Sequence, residues 1–178
     1  EGAAEEARAR QWEATSCRAP SRAFHSRDRL AARRPMDILA AHAQRTPDAP
    51  ALIEGERALS WRAFVERRNR IANALRGLGV GRDEHVIIYA RNSLEAVLVP
   101  AAVRAAQAIP VPMNHRFVAE EVLYILDHSD ATAVFVSEAF LRMAEEVRPR
   151  AAKVRRWITI GEERRPWAEH LDDLVAAG

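Results

Sequence analysis

Short apolar runs at His85 to Tyr89 (HVIIY), Ala108 to Pro112 (AIPVP) and Thr132 to Val136 (TAVFV), and the segment RRWITI ending at Ile160, alternate with stretches of helical periodicity. Runs of this length suit strands buried on both faces. When a helix joins each strand to the next, the strands run parallel and the helices cover both sides of the sheet. The predicted fold class is therefore α/β, a mostly parallel sheet flanked by helices. No internal repeat is present.

The helical stretches are amphipathic. From Trp61 onward Phe64, Ile71, Ala72, Leu75 and Leu78 recur on one face, and Arg62, Glu66, Arg70 and Asn73 fall largely elsewhere, with Ser60 placed to cap the first turn. A second helix follows Asn92 or Ser93 and carries Leu94, Val97, Leu98, Ala101, Ala102 and Ala105; Pro100 inside it removes one backbone bond and predicts a kink. Further helices are expected over Ala119 to Asp127, about Ala139 to Val147, and AEHLDDLVAA near the end. Ahead of these lie a short helix over Asp37 to Arg45, with Ile38, Leu39 and His42 on one face, and a hairpin turning at Gly55. Pro110 and Pro112 lack an N–H, which places their strand at a sheet edge or makes it a strand end.

The three glycines Gly77, Gly79 and Gly81 invite comparison with a phosphate cradle. A dinucleotide fingerprint lies between a strand and a helix, whereas this cluster follows a helix. Gly79 is instead expected to be the left-handed residue just past the helix end, with Val80 folding onto the last turn.

At 178 residues and 48% hydrophobic, the chain suits one domain with a substantial core. The one cysteine, Cys17, excludes an internal disulfide framework, and the six histidines are too scattered for zinc-type spacing, so no metal site is expected. The longest apolar run, Ala96 to Val103, falls well short of the ~20 residues a bilayer requires, and with no membrane span expected the location reads as cytoplasmic. Residues 1–35 hold 8 arginines against 5 acids, leaving 19 basic and 20 acidic groups in the remainder. The basicity therefore belongs to the front extension, and nucleic-acid binding is not expected of the folded part.

Residues 1–35 read as a disordered Arg-rich extension. The Arg- and Ser-rich half from Cys17 to Pro35 also admits an organelle transit peptide, which the five acids of the segment oppose. A single lysine beside 26 arginines suggests a GC-rich coding sequence, and Met36 is the expected natural start, with 1–35 lying upstream of it.

Taken in order, LSWRAFVERRNRIANALRGLGV, HVIIYARNSLEAV and PVPMNHRFVAEEVLYILDHSDATAVFV resemble the front of the adenylate-forming enzymes, a family that includes acyl-CoA synthetases, luciferases and the adenylation domains of peptide synthetases. No single piece is specific; their order and spacing are. The resemblance implies that residues 36–178 are a partial AMP-binding domain, the front portion of the large N-terminal domain of such enzymes. It implies an ATP-dependent ligase in which a small-molecule carboxylate and ATP give an acyl-adenylate and pyrophosphate, and CoA then displaces AMP. ATP, CoA and Mg are the implied cofactors of the full-length enzyme, with none expected to bind this chain tightly. The phosphate loop and catalytic lysine of the family lie in later parts, so the partner implied is the missing C-terminal part, and the chain alone is not expected to be active.

Three departures from the family pattern stand out: Gln107 and Asp130 where glycine is usual, and Val118 where Ser or Thr caps a helix. A left-handed non-Gly residue costs about 1 kcal/mol, so these helix ends are expected to close differently, with local loosening at Val118. Catalytic residues are expected to be none. Arg116 in PMNHRF is the candidate cofactor contact, to a CoA phosphate, the alternative being an ordinary surface arginine. Asn114 is expected to close the turn through its side chain. Tyr124 reads as core with its hydroxyl at the rim, and His128 as a helix C-terminal residue favoured by the dipole. Ser93 with His85 or His115 does not make a triad, since no nucleophile elbow surrounds it. Lys153 lies in an ordinary approach to a strand. Beside the ligase reading stand a non-catalytic binding module, one half of a split adenylate-forming enzyme, and an unrelated nucleotide-binding α/β domain.

Overall fold

The computed structural model of the chain describes residues 37–178. The expectations for 1–35 and for Met36 lie outside the described residues. Among the described residues the elements are α1 (Ile38–Arg45), β1 (Pro50–Glu54), β2 (Arg57–Ser60), α2 (Trp61–Gly77), β3 (His85–Tyr89), α3 (Leu94–Ala105), β4 (Ile109–Pro112), α4 (Ala119–His128), β5 (Ala131–Ser137), α5 (Leu141–Val147), β6 (Arg156–Ile160), β7 (Glu169–His170) and α6 (Leu171–Ala177). The expected last helix is shorter than its sequence pattern, because Glu169–His170 pairs with β6 and the helix starts at Leu171.

The main sheet is parallel throughout, in the order β4-β3-β5-β6-β7. Its strands alternate between two cores, as their period of two requires. Val86, Ile88, Ala133, Phe135, Ile158 and Ile160 face the layer that contains α2, α3 and α6. Ile87, Tyr89, Val134, Val136 and Trp157 face the layer with α4 and α5. At the β4 edge Ile109 and Met113 donate to Glu84 and Ile88 carbonyls (2.8 and 3.0 Å), so Pro110 and Pro112 occupy the alternate positions.

A small hairpin, β1-β2, turns at Gly55 (φ 57°) and clasps the start of α3. Its Glu54 carboxylate accepts from the Leu94 N–H (3.4 Å) and from Arg57 (3.1 Å), and Arg57 also pairs with Glu95. Helix α2 also buries a charged residue: Arg68, with its guanidinium on the Asn69 side-chain oxygen at 2.8 and 3.0 Å.

The helix ends decide two expectations. Helix α2 stops as its glycine implies: Gly79 has φ 80°, its N–H bonds the Arg76 carbonyl, and the Val80 N–H bonds that of Leu75, each at 3.0 Å. Helix α3 ends in the same geometry without glycine. Gln107 takes φ 70°, its N–H donates to Arg104, and the Ala108 N–H donates to Val103, at 2.9 and 3.0 Å. The expected different closure is therefore overturned here and at Asp130, which sits at φ 50° with its N–H on the Asp127 carbonyl (3.1 Å). Satisfied carbonyls at the helix end outweigh the backbone strain. Because the Gln107 side chain is exposed, Gln107→Gly should remove the strain without losing packing. The expected result is a gain of up to about 1 kcal/mol in urea unfolding, less what the freer unfolded chain takes back.

Candidate functional site

Because β3 to β6 run parallel, their carboxyl ends at Pro112, Tyr89, Ser137 and Ile160 lie along one edge of the sheet. In open α/β sheets this edge is where ligands bind. The loop after β4 carries Arg116. Met113 is buried and fixes the loop's start, and the Asn114 side-chain oxygen accepts from the Arg116 N–H at 3.0 Å, closing the turn as its residue type suggests. The Arg116 guanidinium is exposed and, among the described residues, holds no carboxylate. His115 beside it is exposed as well.

Helix α4 starts directly after this loop. Val118 offers no side-chain acceptor to the first-turn N–H groups, but its own N–H donates to the Glu121 carboxylate at 3.0 Å, half of a capping box. The loosening expected at Val118 is therefore not found: one reciprocal bond is enough to start the helix at Ala119. Tyr124 corrects a second expectation. It is 62% exposed and stacks on His128 with ring centres 5.3 Å apart, because its position on α4 faces away from the sheet. His128 is the last residue of α4, as expected.

Lys153 braces the far end of that helix. Its ammonium lies 2.9 Å from both the carbonyl and a carboxylate oxygen of Asp127 and 2.7 Å from the Asp130 carboxylate. The Asp130 and Asp127 contacts hold the lysine above its usual pKa, and the lysine holds Asp130 below the usual carboxylate range. A cation engaged in this way serves the helix end. Ser93 is likewise committed, its hydroxyl accepting from the Ala96 N–H at 3.1 Å to cap α3.

Several groups on the same edge carry no motif and escaped sequence reasoning. Tyr89 stacks on Phe140 (4.2 Å between ring centres), and burial pushes its hydroxyl pKa up. The Arg91 guanidinium sits 5.8 Å from the Phe140 ring centre. Glu138 accepts from the Glu162 and Glu163 N–H groups, the latter at 2.7 Å. Buried His170 joins the Gly161 carbonyl through Nε2 (2.9 Å) and accepts the Asp172 N–H on Nδ1 (3.2 Å), which makes it the cap of α6. That pairing places the proton on Nε2. The signal available was the position of these residues at or just beyond strand ends.

Comparison with protein families matches residues 39–175 to the family described as AMP-binding enzyme. The chain belongs to that family. Among curated AMP-binding relatives, it is 34% identical over 118 residues to the medium/long-chain-fatty-acid–CoA/3-oxocholest-4-en-26-oate–CoA ligase of Mycobacterium marinum, covering 66% of this chain and 22% of that protein. It is 33% identical over 114 residues to the 3-oxocholest-4-en-26-oate–CoA ligase of Rhodococcus rhodochrous, covering 64% and 20%. Among solved structures, the anthranilate CoA ligase AuaEII in complex with anthranoyl-AMP superposes with a TM-score of 0.75 at 27% identity, over 79% of this chain and 27% of that one. The chain thus spans about a fifth of the length of the curated relatives it matches. The sheet is that of the N-terminal domain of adenylate-forming ligases.

The cofactors this family implies fit the described residues unequally. Among the described residues no three His, Cys, Asp or Glu side chains stand together as a metal cage. For an anionic cofactor the free Arg116 guanidinium beside a helix start is a suitable donor. No helix among the described residues is long and apolar enough to cross a membrane.

Proposed function

We propose that this chain is the amino-terminal part of a cytoplasmic, ATP-dependent acyl-CoA synthetase, and that its Arg116 loop meets a phosphate of CoA. The observation that carries the reading is the exposed guanidinium of Arg116, unpaired among the described residues and held on a tight Asx turn at the carboxyl edge of the sheet. The turn fixes the backbone while the side chain stays free to form paired N–H···O bonds with phosphate. The first turn of α4, open because Val118 gives no cap, adds N–H groups of the right sign; Glu120 and Glu121 in that turn work against it.

In this reading the chain supplies the front of the sheet and one grip on CoA. The carboxylate substrate, the phosphate-binding loop and the acid–base groups belong to the rest of the enzyme. Two measurements test it. With the 178-residue chain alone, ATP–pyrophosphate exchange should stay at the blank, and exchange above it would defeat the claim of dependence on a further part. In the longer enzyme, Arg116→Ala should raise the KM for CoA about tenfold or more, the worth of a charged hydrogen bond, and leave adenylate formation unchanged. An unchanged KM for CoA would remove Arg116 from the site.

A further inference from the structure

The helices that leave β3 and β5 go to opposite faces of the sheet: α3 packs through Leu98, Val99, Ala102 and Val103 into one core, and α5 through Leu141, Ala144 and Val147 into the other. Their divergence opens a crevice between the carboxyl ends of two neighbouring parallel strands, the place where open α/β sheets take ligands. This crevice lies on the other side of β3 from β4 and its Arg116 loop.

Two polar groups at its mouth lack a hydrogen-bond or ion-pair partner among the described residues. The hydroxyl oxygen of Ser137, the last residue of β5, is buried and forms no hydrogen bond, although Ser137 stands at the start of the short turn Glu138–Phe140 where a serine ordinarily caps. Buried hydroxyls are nearly always paired, so an orphan at a ligand-binding edge calls for an absent acceptor. The second group is Arg91. Tyr89 pairs with Val136 in register, which sets Ser137 level with Ala90 and one residue from Arg91. The Arg91 guanidinium leans over Phe140, toward the turn that follows Ser137, and holds no carboxylate among the described residues. Other arginines such as Arg57, Arg150 and Arg155 are all ion-paired. The carboxylate next to Ser137 in sequence, Glu138, is engaged by the Glu162 and Glu163 N–H groups.

We propose that the crevice between the carboxyl ends of β3 and β5 binds a phosphate-type oxyanion through the Ser137 hydroxyl and the Arg91 guanidinium. Ser137 donates its O–H, Arg91 donates two N–H groups and supplies the charge, and Phe140 keeps the guanidinium over the site. Free phosphate, pyrophosphate and the phosphoryl chain of a nucleotide share this chemistry.

The test is calorimetric titration of the 178-residue chain with inorganic phosphate, pyrophosphate and ATP in turn, and of its Arg91→Gln, Ser137→Ala and Arg116→Ala variants with pyrophosphate. Saturable binding of at least one of the two inorganic anions is expected, weakened about tenfold by Arg91→Gln and several-fold by Ser137→Ala. Relative strength among the three probes names the source. Thermal melting supplies a second readout: Ser137→Ala should melt higher than the parent, because it removes an unpaired buried hydroxyl, and yet bind less. Binding by ATP alone would show that the base is recognised and overturn the proposal. So would the absence of saturable binding, wild-type binding by both crevice variants, or loss of pyrophosphate binding in Arg116→Ala. A chain that binds pyrophosphate normally in Arg116→Ala, in an enzyme whose KM for CoA ignores that substitution, would sink the CoA reading and leave this one standing.

Discussion

Phe135→Ala should cost about 3–5 kcal/mol, a large part of the ~5–15 kcal/mol that holds a domain of this size together. Phe135 is fully buried at the centre of β5, the strand that pairs with β3 on one side and β6 on the other. Its ring faces the α2/α3/α6 core, and a strand held on both edges cannot collapse into the space the ring leaves. Urea unfolding followed by tryptophan fluorescence, to which buried Trp157 on β6 contributes, would measure the loss. Phe135→Leu, which keeps most of the volume, should cost less than about 1.5 kcal/mol. Equal midpoints for the parent and the alanine variant would refute the packing described for this face.

Gly161→Ala comes second, at about 2–4 kcal/mol, and acts through backbone and contact together. Gly161 has φ 122°, and a Cβ there would lie 2.4 Å from the carboxyl carbon of Glu138. Glu138 has room to swing away, but doing so releases the Glu162 and Glu163 N–H groups it accepts from. The cost should therefore shrink in a Glu138→Ala background, where only the strain of the positive φ remains. A double-mutant cycle reads that coupling, and strictly additive losses would mean the carboxylate does not lie over Gly161.

Most of the sheet and its helices were legible because β3 and β5 carry continuous apolar runs and α2, α3 and α4 carry apolar stripes, whereas β7, only Glu169–His170, carries neither and reads as the start of a helix. The prolines narrowed β4 to an edge or a strand end, and it is one of the two edges. What the sequence hid has a common cause: a side chain's surroundings are set by neighbours distant in sequence. Tyr124 looks like a core residue in a one-dimensional pattern, and only the position of α4 against the sheet turns it outward. Gln107 and Asp130 looked like obstacles to tight helix ends, yet the carbonyls waiting at the ends of α3 and α4 override a preference of about 1 kcal/mol. Of the proposed contacts, Arg116 was singled out because its loop carries a recognisable string of residues. Arg91, Ser137 and Phe140 were not, since 46 residues separate Arg91 from Ser137 in the chain and only the β3–β5 register joins them.

The alternate placement of Pro110 and Pro112 along β4 also governs how molecules of this protein behave toward one another. An approaching strand needs N–H donors on the outward side, and β4 offers a row of pyrrolidine rings there. That flank is closed to strand addition, whether by a second copy during refolding at high concentration or by a misregistered segment of the same chain. The sheet is thereby given a direction of growth: a strand that extends it has its opening beside β7, at the opposite margin.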